Sequence, residues 1–133
     1  MNTTSNRFKS GFGKYPILDG REYIEADMGF GVTVRAYVEL DQFAEPNAWQ
    51  LADYNADRLR FCELVLNVYI GDACIEKDAA NLCGIGFMDG TDDCDYLTER
   101  ANDLLGEIDI AGIVGGFAKQ AAAAARKLKS KKA

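Results

Sequence analysis

Four cysteines and a run of aspartates are the residues of this 133-residue chain whose types could carry chemistry. Thiolates and carboxylates bind metals, act as nucleophiles or exchange protons, and their spacing decides among those uses. Cys62, Cys74, Cys83 and Cys94 lie 12, 9 and 11 positions apart. Structural zinc sites take thiolates in close pairs, roughly two to four residues apart, so that short knuckles wrap the ion. Wide spacing argues against that use. With no secretory segment before them, the four are expected to be reduced thiols acting as small buried hydrophobes.

The segment DGTDDCDYLTER, residues 89–100, is the other candidate. A calcium loop of the EF-hand type wants oxygen ligands at about positions 1, 3, 5 and 7, glycine at 6 and a bidentate carboxylate at 12. Asp89, Thr91, Asp93 and Asp95 satisfy the first four, but Cys94 takes the glycine position and Arg100 the carboxylate position. A cation where the bidentate ligand belongs defeats the site. Asp92, Asp93 and Asp95 are instead expected to cap a helix, since carboxylates suit the free N–H groups of a first turn. Histidine is absent, and the only serines are Ser5, Ser10 and Ser130. That removes Ser–His, Cys–His and histidine–metal chemistry. The chain is expected to be no enzyme, to need no cofactor and to hold no metal.

The elements that would position these residues follow from periodicity. REYIEADM, 21–28, sets Ile24, Ala26 and Met28 against Tyr23, Glu25 and Asp27, which is the alternation of a half-buried strand. Gly29-Phe30-Gly31 suits a hairpin, and VTVRAYVEL repeats the alternation with Val32, Val34, Ala36, Val38 and Leu40 inward. Residues 45–57 suggest a short helix or ordered loop with Trp49 tucked onto the sheet. RFCELVLNVYI, 60–70, is a third strand, and after an irregular acidic stretch NLCGIGFM, 81–88, is a fourth, weakened by its glycines.

From Asp95 the period is helical, with Tyr96, Leu97, Ala101, Leu104, Leu105 and Ile108 on one face and a bend or break expected near Gly112. Ile110, Val114, Phe117, Ala121, Ala124 and Leu128 then form a heptad-like stripe, the candidate self-association surface. The fold class is α+β: a mainly antiparallel sheet of about four strands, helices on one face, and an alanine-rich C-terminal helix. Residues 1–20 are expected to be a flexible arm, 21–110 the core domain, and 111–133 the helix and basic tail.

Charge is unevenly spread. The chain carries −6, yet five of its 15 basic residues (Arg126, Lys127, Lys129, Lys131, Lys132) fall in the last eight positions. Residues 1–125 therefore hold ten basic against 21 acidic residues, or −11. Such a body repels nucleic acid and anionic membrane and attracts basic surfaces. Glu22, Glu25, Asp27, Glu39, Asp53, Asp57, Asp92, Asp93 and Asp95 are the candidate contributors to that acidic surface. The tail has no interleaved aromatic residue, so direct nucleic-acid contact is expected only through its charge. No run approaches the ~18 apolar residues of a membrane span, and a cytoplasmic location is expected.

Arg60-Phe61, LCGIGF at 82–87 and YLTERANDLL at 96–105 resemble a pattern of small accessory proteins encoded by phages and other mobile elements. There a glycine-bearing strand leads into a helix of this type. The resemblance covers under half of the chain and carries over no functional residue. It implies a genomic context, in which the first expectation is an inhibitor of a host defence or nucleic-acid enzyme, of anti-CRISPR or anti-restriction type. Its partner would be a host protein with a basic surface. The alternatives are an assembly protein that self-associates through the C-terminal stripe and a nucleic-acid-binding accessory protein that uses the tail.

Overall fold

The structure, a computed structural model, describes residues 7–9, 19–88 and 94–132. Alternating apolar and polar residues build four strands: β1 (Asp19–Gly29), β2 (Val32–Leu40), β3 (Leu59–Ile70) and β4 (Ala73–Met88). They pair in chain order as one antiparallel meander, β1-β2-β3-β4. A 3₁₀ turn (Ala48–Gln50) runs into the short helix α1 (Leu51–Asn55) between β2 and β3, and α2 (Cys94–Leu105) and α3 (Ile110–Lys132) follow β4. This is the expected α+β architecture.

The inward residues form one core. Ile24, Ala26, Val34, Ala36, Val38, Cys62, Leu64, Leu66, Val68 and Ile85 are buried on one sheet face. Leu97, Ala101, Leu104 and Leu105 cover it from α2 at i, i+4, i+7 and i+8, the spacing of a single helical stripe. Tyr96 lies about 100° around the helix from Leu97. It is exposed rather than part of the stripe, and the Arg100 guanidinium sits 5.3 Å over its ring. Arg100 also pairs with Asp103 at 2.9 Å, which gives the cation at the twelfth loop position a helical role.

Phe8 alters the expected N-terminal arm. It is 1% exposed and belongs to the core cluster. Its N–H donates to the Asn102 side-chain oxygen at 2.7 Å, and its carbonyl accepts from the Asn102 amide at 3.2 Å. Asn102 thus holds an extended segment as a neighbouring strand would, satisfying the backbone groups that burial of the ring removes from water. At residues 7–9 the chain is tethered, not free.

Other expectations are corrected by the same geometry. Gly71-Asp72 forms the turn expected there, but the stretch expected to be irregular after it, 73–80, is the first half of a continuous β4. Register shifts near Asp78 (φ +55°) and Gly84 (φ +70°) interrupt the alternation that would have marked it. Trp49 is 78% exposed instead of tucked onto the sheet. The helical break falls at residues 106–109, not near Gly112. Asp109 starts α3 by accepting from Gly112 N–H at 3.0 Å, and a Cβ at 112 would collide with that carboxylate. Among the described cysteines only Cys62 is buried; Cys74 and Cys83 are exposed because β4 is an edge strand.

Candidate functional site

The second face of the sheet is the site the fold leaves available. Antiparallel register brings Tyr23 opposite Tyr37, Glu25 opposite Arg35 and Asp27 opposite Thr33 across β1–β2. Across β2–β3 it brings Arg35 opposite Asn67, Thr33 opposite Tyr69 and Glu39 opposite Glu63. All of these point away from the core by the two-residue alternation of a strand. At one end Tyr54 of α1 packs on Phe61, their ring centroids 6.0 Å apart, so α1 covers that end and leaves the middle open.

The centre is a preorganised plateau of aromatic rings and one cation. The Arg35 guanidinium lies 4.6 Å from the Tyr23 ring centre and 4.3 Å from that of Tyr69, and its Nε donates to Glu25 at 2.8 Å. Tyr23 and Tyr37 rings approach to 5.1 Å, and the Tyr37 and Tyr69 hydroxyls are hydrogen-bonded at 2.8 Å. The hydrogen bond to Tyr37 foremost, with that to Glu25, holds the Arg35 charge more firmly than in water, although burial works against it. Burial and the Tyr69 hydroxyl push the Tyr37 phenol up, with Arg35 opposing. The plateau therefore sets a Tyr37 phenol held in its neutral form beside a firmly held Arg35 cation.

An acidic groove adjoins it. Asp41 leaves the end of β2 and folds its carboxylate back onto the chain. It accepts from the N–H groups of Gly84 (2.7 Å), Phe43 (3.0 Å) and Ala44 (3.1 Å). These donors, Gly84 foremost, hold its pKa below the usual carboxylate value. The result ties the loop after β2 to the bulge in β4. It frames a groove of about 520 Å³ lined by Asp41, Phe43, Ala44, Glu63, Cys83 and Gly84. Phe43 stands on its rim, 92% exposed. Local desolvation and the nearby carboxylates of Glu63, Asp41 and Asp78 push the Cys83 thiol up, the opposite of what a nucleophile needs.

The nine acidic residues singled out in the sequence do not form one patch. Glu25, Asp27 and Glu39 share the open face, although Glu25 is engaged by Arg35 and Asp27 accepts from Gly29 N–H in the hairpin. Asp53 pairs with Arg58 at 2.9 Å beside α1, and Asp57 is in the exposed turn that follows. Glu22 lies on β1, half-buried. Asp95 sits in the first turn of α2, on the covered side of the sheet, while Asp92 and Asp93 fall outside the described residues. Tyr69, Glu63, Asp41 and Phe43 are additions of the structure. The alternation of β3 already placed Glu63 and Tyr69 outward; nothing in the sequence pattern marked Asp41 or Phe43.

The proposed self-association residues all lie on α3. Ile110 and Val114 pack partly against the core. Beyond them α3 leaves the domain, and Phe117, Ala121, Ala124 and Leu128 are exposed.

Among the described residues no group of three or more His, Cys, Asp or Glu side chains is placed to hold a metal ion. No described helix is long and apolar enough to cross a membrane. No protein-family model, curated protein or solved structure matches the chain.

Proposed function

We propose that this chain is a non-enzymatic binding protein whose open sheet face docks on a basic surface of a partner protein. The observation that carries this reading is the facing pair Glu39–Glu63, two carboxylates directly opposed on an exposed sheet face. Like charges in that position weaken a sheet, and a lysine or arginine from a partner relieves them. Phe43, exposed on the adjoining groove, offers a ring to the same cation. The Tyr23–Arg35–Tyr37–Tyr69 plateau supplies what interface centres are rich in: rigid aromatic area and a guanidinium already oriented.

A stacking platform for single-stranded nucleic acid has similar rings, but it needs a positive groove. Here Glu25, Asp27, Glu39 and Glu63 surround the rings. The −11 charge of residues 1–125 favours a basic partner over a phosphate chain. The resemblance to phage and mobile-element accessory proteins supplies the class: a host defence or nucleic-acid enzyme whose DNA-binding groove is basic. On that reading the carboxylates occupy places that phosphates otherwise fill.

The test is capture of host proteins by the tagged chain, compared with Glu39→Lys/Glu63→Lys and with Tyr37→Ala. The expected result is a basic partner lost with both variants, released by salt and displaced by DNA. A partner retained by both variants and in about 1 M salt rejects the reading.

A further inference from the structure

α3 is longer than the domain it belongs to. Its first turns rest on the core through Ile110, Ile113 and Val114, yet from Gly115 to Lys131 every residue except Ala123 is exposed. At about 1.5 Å per residue the 23-residue helix is roughly 34 Å long, so most of it projects into solvent. Along the projection runs the apolar stripe, with Phe117 at 39% and Leu128 at 62% exposure. At the other end of the helix lies a groove of about 490 Å³ with an apolar floor of Met28, Leu105, Gly106, Ile108 and Ile110, edged by Arg7, Asn102 and Asp103.

We infer that the occupant of both is a second copy of this chain, its α3 packed antiparallel against the first. Three observations select that arrangement. Spacings of 4, 3, 4, 3 and 4 make the stripe a heptad seam, and antiparallel pairing about residue 119 sets Phe117 against Ala121, Val114 against Ala124 and Ile110 against Leu128. Large residues meet small ones in the middle layers, which lets the helices approach closely. The same register carries Leu128 of each copy to the groove beside Ile110 of the other. It also lays the basic end, Arg126 to Lys132, along the acidic segment holding Asp103, Glu107 and Asp109. A parallel pair would place the two basic ends side by side. The contact is isologous, as expected of a two-fold dimer, and a straight helix cannot reach its own groove.

In the dimer the two open faces act as linked binding surfaces, although the pairing itself does not depend on what those faces bind. Sedimentation of the full chain at about 100 µM is expected to give twice the 14.6 kDa monomer mass. Ala121→Glu, in the seam but outside the domain, is expected to weaken association at least tenfold with far-ultraviolet circular dichroism of the sheet retained. Lys119→Glu, on the opposite side of the helix, leaves the dimer intact. At low salt Lys129→Glu/Lys131→Glu is expected to weaken the dimer about tenfold, and adding Glu107→Lys recovers affinity. A monomer at that concentration overturns the proposal. Tail reversal that strengthens the dimer or leaves it unchanged overturns the antiparallel register.

Discussion

The two faces of this sheet carry side chains of similar size to opposite ends. On the covered face Val34, Val38, Leu64, Leu66 and Val68 are wholly removed from water beneath α2, and no charged side chain interrupts them. On the open face Tyr23, Arg35, Tyr37 and Tyr69 form an equally connected cluster, built from ring contacts, one ion pair and one hydroxyl–hydroxyl bond, and partly wet. The first arrangement gains its free energy by burying apolar area. The second buries Tyr69 to 8% exposure but leaves Tyr23 at 42%, and it fixes polar groups in place. A strand cannot put its alternate residues on the same side, so each apolar residue given to the core gives its neighbour to the open face. What differs is whether anything covers that face.

Core substitution should separate the faces most sharply. Phe8→Ala removes a ring buried in the core far from the open face, and about 3–5 kcal/mol of unfolding free energy is expected to go with it in urea titration. Partner binding by the remaining folded protein should not change. If Phe8→Ala costs under about 1 kcal/mol, the N-terminal segment is an accessory and not a part of the core.

Tyr37→Ala probes the other side. It removes the bond to Tyr69 and the contact with Tyr23, at an expected cost of about 1 kcal/mol in stability. Partner affinity, measured by calorimetry, is expected to fall by tenfold or more, the size typical of an interface anchor. A stability loss as large as that of Phe8→Ala would mean that the plateau is a second core, and would break the comparison.

Glu39→Gln reverses the usual sign. Relief of the facing Glu63 should stabilise the chain by a few tenths to about 1 kcal/mol in thermal unfolding while weakening a basic partner. Stability and binding moving in the same direction would leave the facing carboxylates without a functional reading.

The smallest expected effect is on acid stability. The Asp41 carboxyl has its pKa lowered by the Gly84, Phe43 and Ala44 N–H groups. Its contribution is therefore present above the ordinary carboxylate value and is lost as pH falls through the lowered one. In melting temperatures measured from pH 6 down to about pH 2, Asp41→Asn should flatten the acid limb of the curve relative to the parent chain. An unchanged limb would show that the loop is held without the ionised carboxylate.

Legibility in the sequence tracks how local the causes are. The bounds of β2 follow from alternation alone, because every second residue of VTVRAYVEL is apolar and its register against β3 is unbroken from Val32 to Leu40. β4 hides from the same reading, since three register shifts, near Ile75, Asp78 and Gly84, interrupt its alternation along 16 residues. The stripe of α2 is visible in the sequence, but helical spacing alone does not say how wide a face the sheet will cover, so it does not separate Tyr96 from the buried stripe. Phe8 carried no signal at all. Its burial depends on Asn102, 94 positions away, and no local pattern joins them. The candidate site divides the same way. Tyr23, Arg35 and Tyr37 were already outward residues of a hairpin, whereas their stacking required Tyr69 from a third strand, and the acidic groove required a loop carboxylate bonded to a bulge 43 positions away.

The sequence by itself determined which side chains take opposite faces along β1, β2 and β3, the acidic body with its basic end, and the heptad seam of α3, because these depend on near neighbours and on counting. Only the tertiary structure decided which sheet face is left open, that Phe8 closes the core, and that Glu39 meets Glu63 beside Phe43. Those outcomes depend on register between segments far apart in the chain and on which elements arrive to exclude water. Neither is encoded in any one stretch.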